Sequence, residues 1–234
     1  MTRESFFWHK LHSLTGVIPT GFYMLQHLTL NSFSLAGPEK FNGVIGFFNA
    51  IPKHILLVLE IGLLGIPILF HAVYGLFIVN RGEPNTYFTT KYKWSQARMY
   101  TMQRWSGILL FILLILHVIS TTVNAKINGH QVIEYAAWHE KLTSNGYILL
   151  VIYMIGIVAA SYHLAYGIWN FCIRWGITVS EKAQHGVQKF ALAFFFVVTL
   201  LGWGALFGFL RDPGAAETGE LQAQTTITNV VARS

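Results

Sequence analysis

The chain alternates between long stretches without charge and short stretches that concentrate it. Residues 11–38, 105–125, 142–173 and 190–210 hold no Asp, Glu, Lys or Arg, and residues 54–80 hold only Glu60. In chain order the five stretches run for 28, 27, 21, 32 and 21 residues. A helix needs about 20 apolar residues to cross a hydrocarbon layer of roughly 30 Å, so each stretch predicts one transmembrane helix. Trimmed by their polar ends, the helices are expected at 12–32, 54–80, 103–124, 146–173 and 189–210. Gly16, Pro19, Gly21, Gly62, Gly65 and Pro67 fall inside these spans. They do not argue against helix, because neighbouring helices re-satisfy the backbone in membranes. The first stretch is too long, and its flanks are wrong, for a cleaved signal peptide, so it is expected to be retained.

The architecture this implies is an all-α integral membrane protein with five transmembrane helices. A single membrane domain is expected over 1–211, followed by a polar tail over 212–234. The connections are too short for a soluble domain, which leaves any chemistry to the helices or to a partner. Composition agrees: 53% of residues are hydrophobic, 15% aromatic and only 11% charged, against about a quarter charged in a soluble domain. That excludes a disordered chain, a nucleic-acid reader and most soluble enzymes. The net charge of +6 is read instead as basic residues in cytoplasmic loops. With the N-terminus inside, inner segments hold ten Lys and Arg and outer segments six. The N-terminus is therefore expected in the cytoplasm and the C-terminus outside. One cysteine, Cys172, excludes a disulfide framework, a cysteine zinc site and a C-x-x-C-H haem attachment.

Four of the ten histidines change the picture. His27, His71, His117 and His163 lie in four successive spans, at intervals of 44, 46 and 46 residues. Ionisable groups at membrane depth are costly and are functional candidates. His71-Ala-Val-Tyr-Gly75 recurs as His163-Leu-Ala-Tyr-Gly167, offset by 92, and His27 and His117 are offset by 90. The first two helices and the next two thus read as parallel copies of one hairpin. At about 1.5 Å per residue, His71 and His163 sit near the inner side and His27 and His117 near the outer side. Two imidazoles facing each other across a bundle suit the axial positions of a b-type haem. Zinc would want four gathered ligands, and a proton relay would want acidic partners, of which only Glu60 is present. Gly75 and Gly167 either let a flat macrocycle approach the backbone or serve helix packing. His12, Ser13, Arg104 and Arg174 lie at the inner boundary, where haem propionates would need cations or hydroxyls.

Leu11-His-Ser-Leu-Thr-Gly-Val-Ile-Pro19, Gln26-His-Leu28, His71-Ala-Val-Tyr-Gly75, Gln103-Arg104 and Trp175-Gly-Ile-Thr-Val179 resemble the five-helix, di-haem cytochrome b subunit of succinate:menaquinone oxidoreductases and fumarate reductases. The similarity runs from about residue 6 to 210. The resemblance implies a membrane anchor whose first four helices form a bundle around two stacked b haems. It implies a flavoprotein and an iron–sulfur subunit on the cytoplasmic side, with menaquinone as substrate in the cytoplasmic (inner) membrane. His71 and His163 match the ligands of the inner haem, and His27 and His117 those of the outer. His12 and Ser13 match positions near the inner propionates, and Arg174 falls where a relative has lysine. Some fumarate reductases of this type carry a glutamate beside the fourth-helix histidine for proton movement. Ser161 and Tyr162 stand there in this chain, so that path is not expected.

Glu60, about six residues into the second helix from outside, is the candidate acid for quinone chemistry, with Asn31 beside it. The inner connection 81–104 is aromatic and basic (Tyr87, Phe88, Tyr92 and Trp94 with Lys91, Lys93 and Arg98). It suits an interfacial belt and a docking face for the iron–sulfur subunit. Two other functions remain open on the residues alone: a quinone-site anchor with one haem or none, and a small transporter relaying protons through histidines.

Overall fold

In the computed structural model, residues 3–81 and 95–214 are described. The tail beyond 214 and residues 82–94 of the basic, aromatic connection lie outside them. Every long element is helical. Helix α1 covers residues 3–31 as two α-helical runs, Arg3–Thr15 and Phe22–Asn31, joined by a wide π-helical segment at Gly16–Gly21. Pro19 lies within that segment; it lacks an N–H and crowds the preceding turn, which favours a widened turn over α-helix. A short 3₁₀ turn leads to α2, Pro38–Ala50. Helix α3 is Lys53–Arg81 with a π segment at Leu59–Gly65, and α4 is residues 95–128 with one at Ile119–Val123. Next come α5 (Tyr135–Thr143), α6 (Ile148–Arg174) and α7 (Glu181–Gly208).

Among the described residues, α3, α4, α6 and α7 contain stretches long and apolar enough to cross a membrane. Helix α1, at about 1.5 Å per residue, is also long enough, but Thr15, Thr20, Gln26, His27 and Thr29 interrupt its apolar run. The long helices wear large apolar side chains outward, among them Phe22, Val58, Leu116 and Leu200. Such rows are tolerated where lipid, not water, is the solvent. The chain is an all-α, multi-pass membrane protein.

Helix α1 packs on α3, α3 on α4, α4 on α6, and α6 back on α1; α7 lies outside this ring against α6 and α1. At one end, α2 and α5 form a cap where the charge pattern predicts only connections. Phe41, Tyr135, Trp138, Leu142, Leu150, Leu206 and Phe209 bury one another there. The Tyr135 hydroxyl donates to the Gly208 carbonyl at 2.6 Å, and the Asn42 side-chain oxygen accepts the Tyr135 N–H at 2.9 Å. Two glycines with positive φ turn the chain into this cap, Gly37 (φ 99°) after α1 and Gly129 (φ 92°) after α4. A side chain is disfavoured in that backbone conformation. Their offset of 92 residues equals that of His71 and His163, which extends the hairpin repeat to the turns. The opposite end, near residues 3–15, holds a second core of Ala165, Tyr166, Trp169 and Ala191.

Candidate functional site: two histidine pairs

His27, His71, His117 and His163 come together as two cross-helix pairs. His71 on α3 and His163 on α6 have ring centres 6.0 Å apart, with planes at 89°. His27 on α1 and His117 on α4 are 5.8 Å apart at 79°. His12 stacks on His71, and His27 lies fifteen residues further along α1, so the pairs are roughly 20 Å apart along the bundle. The His71 pair is nearer the N-terminal end and the His27 pair nearer the cap, in keeping with the depths expected from the sequence.

The hydrogen bonds decide which ring nitrogens are available. His71 Nδ1 donates to the His12 carbonyl at 2.8 Å, and His163 Nδ1 to the Gln103 carbonyl at 3.2 Å. A carbonyl can only accept, so both rings carry their proton on Nδ1 and turn an unprotonated Nε2 elsewhere. His117 Nδ1 is hydrogen-bonded to the Tyr153 hydroxyl at 3.2 Å. Ring orientation fixed through the second nitrogen is the usual support of a metal-ligating imidazole. Imidazole nitrogens bind metals at about 2 Å, which sets two axial ring centres about 6 Å apart. Both pairs match that spacing, whereas His12 and His71 stack directly at 4.0 Å and 9°. Among the described residues no three His, Cys, Asp or Glu side chains gather into a metal site. An ion held by either pair would need its remaining donors from a cofactor such as a porphyrin. The residues present fit that group.

The expected propionate residues all lie toward the end of the bundle that holds His71 and His163. The His12 ring lies against His71 and its Nδ1 is buried without a partner, a polar atom available to an acidic group. Ser13 donates to the Lys10 carbonyl at 2.8 Å and accepts from Trp175 Nε1 at 3.1 Å. Arg174 lines a cleft with Phe6, His9, Asn170 and Ile173 at the same end. Arg104, next to Gln103 on α4, reaches across to the Val79 carbonyl on α3, also toward that end. Glu60 forms an ion pair with Lys126, joining α3 to α4 near the cap. Asn31 donates one of its two amide N–H groups to the His27 carbonyl in its own helix at 2.7 Å.

Gly75 and Gly167 face the neighbouring helix. A Cβ on Gly75 would stand 3.2 Å from the His12 ring, and one on Gly167 would stand 3.6 Å from the Gln103 amide. The glycines that adjoin the imidazoles of the His71–His163 pair are Gly16, beside His71, and Gly107, beside His163. Gly107, Ser106 and Tyr153 escape a reading of the sequence alone. Gly107 and Ser106 lie four and three residues past Gln103, on the same helix face, which is the signal that could have found them.

Known proteins resemble this chain. Residues 80–202 match the family described as succinate dehydrogenase/fumarate reductase transmembrane subunit. The succinate dehydrogenase cytochrome b558 subunit of Bacillus subtilis (strain 168) is 31% identical over 207 residues, covering 88% of this chain and 98% of that protein.

Proposed function

Because the chain belongs to the succinate dehydrogenase/fumarate reductase transmembrane subunit family, membrane anchors of an oxidoreductase complex, we propose that it holds two b haems and links an iron–sulfur subunit to menaquinone. The observation that carries this reading is the pair of bis-histidine sites on the axis of one bundle, with Nδ1 hydrogen-bonded in three of the four rings. When bound, a b haem in each pair supplies a one-electron carrier, so two in line conduct along the bundle.

The chain's own residues do the rest. His71 and His163 hold the inner group, and His27 and His117 the outer. Helix packing leaves all four rings half-buried. His12 presents its unpartnered Nδ1 to the inner propionates, with Ser13 and Arg174 at the same end. Glu60 is the quinone-side carboxylate, near the outer pair and on a part-exposed ion pair through which protons reach water. Asn31 is its companion beside the outer pair: one amide N–H donates to the His27 carbonyl, and the second N–H and the side-chain oxygen are the groups it offers to the quinone. The flavoprotein and iron–sulfur subunits dock at the N-terminal end, in the cytoplasm, where most Lys and Arg lie, and the cap faces outward. Lipid surrounds the remaining faces.

The test is a dithionite-reduced minus air-oxidised spectrum of the purified complex, with pyridine haemochrome quantified per chain. Two b haems, reduced to one or none in alanine variants of His27, His71, His117 or His163, are expected. A single haem would confine the reading to one pair. None would leave a haem-free anchor.

A further inference from the structure

We propose that the two inner imidazoles sit in sockets of one design, each built by a neighbouring helix (α1 for His71, α4 for His163) from a backbone carbonyl and a glycine one turn later, and that Ser106 and Gln103 position His163 within its socket. On α1 the His12 carbonyl accepts from His71 Nδ1, and a Cβ on Gly16, four residues on, would overlap the His71 ring. On α4 the Gln103 carbonyl accepts from His163 Nδ1. A Cβ on Gly107, again four residues on, would stand 2.8 Å from His163 Cε1 and 3.2 Å from its Nδ1. The carbonyls are offset by 91 residues, the glycines by 91 and the histidines by 92. Each socket therefore does two things at once: the carbonyl fixes the tautomer that leaves Nε2 free, and the glycine admits the ring to the helix surface.

The α4 socket has side chains of its own. Ser106 Oγ donates to the Gln103 carbonyl at 3.0 Å, and the same oxygen lies 3.3 Å from His163 Nδ1. The imidazole N–H is thus shared between two acceptors. Gln103 Nε2 donates to the His163 carbonyl at 2.8 Å, so α4 grips both the ring and the backbone of the same residue. Acceptors on Nδ1 raise the basicity of a ligating imidazole and favour the ferric over the ferrous state. Ser106 and Gln103 are positioning residues and never touch the reacting atoms.

This inference rests on the two-haem reading, and its test separates the two. The assembled complex is titrated potentiometrically, and its low-spin ferric signals are recorded by electron paramagnetic resonance. Ser106→Ala removes one acceptor. The inner potential should rise by about 30 mV, equivalent to roughly a threefold loss of ferric preference at 59 mV per factor of ten, with the outer potential unchanged. Ser106→Thr, which keeps the hydroxyl, should restore it. Gly107→Ala should shift or abolish the inner signal alone, while Gly186→Ala, with nothing within 4 Å of an added Cβ, should leave both. Two haems in the parent protein with an unmoved inner potential in Ser106→Ala and an unmoved inner signal in Gly107→Ala would overturn the sockets. No haem in the parent would overturn the two-haem reading itself. If Gly107→Ala fails to assemble, the Ser106→Ala potential decides alone.

Discussion

Replacing Glu60 by Gln separates a chemical role for this carboxylate from a structural one. Its partner Lys126 is half exposed and Glu60 itself about one-third exposed, with side-chain accessibilities of 49% and 30%. An ion pair so open to solvent contributes about 0–1 kcal/mol. For a chain of this size that moves the unfolding midpoint by only about 2–4 °C. Loss of a proton-transferring group, by contrast, typically costs about 10²–10⁴ in rate, far beyond what the lost pair could cause. Succinate-dependent reduction of a menaquinone analogue should therefore fall at least about a hundredfold in Glu60→Gln, with both haem spectra intact. Reduction of a soluble dye by the partner subunits should be unaffected. Lys126→Met breaks the same pair but keeps the carboxylate, and should retain most of the turnover. Parent-level turnover in Glu60→Gln would refute the assignment. So would a Lys126→Met variant as impaired as Glu60→Gln, because then the pair and not the acid is what matters.

Two substitutions test the packing around the bundle. Tyr135→Phe leaves the buried Gly208 carbonyl without its hydroxyl donor and should destabilise by about 1–2 kcal/mol, read as a lowered melting temperature of the detergent-solubilised complex with haem content unchanged. Gly202→Ala places a Cβ 2.7 Å from Ile157 Cγ2 between α7 and α6 and should cost about 1–3 kcal/mol. Gly186→Ala, on the same helix with open space around it, should be neutral or slightly stabilising by helix propensity; equal melting temperatures for the two variants would refute the close approach of α6 and α7.

The membrane helices are legible in the sequence because lipid tolerates almost no charge, so a gap in Asp, Glu, Lys and Arg is itself the element. Their ends are less so. Helix α7 starts at Glu181, eight residues before the expected 189, because polar residues extend a helix into water once it has nucleated. The cap helices are hidden for a related reason. Phe41 and Ile45 on α2, and Tyr135, Trp138 and Leu142 on α5, keep helical spacing, but charged neighbours make both segments read as connections. The histidine pairing is legible from depth and repeat, since an imidazole within an apolar span stands out. Its supports are not. A backbone carbonyl has no residue identity, so His12 and Gln103 occupy equivalent places with unrelated side chains, and only the glycines one turn on betray them.

The repeat also explains its own irregularity. The inner sockets and histidines recur at 91–92 residues, yet His27 and His117 recur at 90. From socket carbonyl to outer histidine there are fifteen residues on α1, His12 to His27, and fourteen on α4, Gln103 to His117. A π turn winds one extra residue into the helix and leaves the later turns α-helical. On α1 the π segment at Gly16–Gly21 lies inside that interval; on α4 the segment at Ile119–Val123 lies beyond it. The extra residue of α1 is absorbed by the widened turn around Pro19, so His27 and His117 reach the same level from opposite sides of the bundle and meet. The π segment on α1 is therefore a register device: without it the outer imidazole of α1 would arrive about 100° off the face and 1.5 Å out of height that its partner requires.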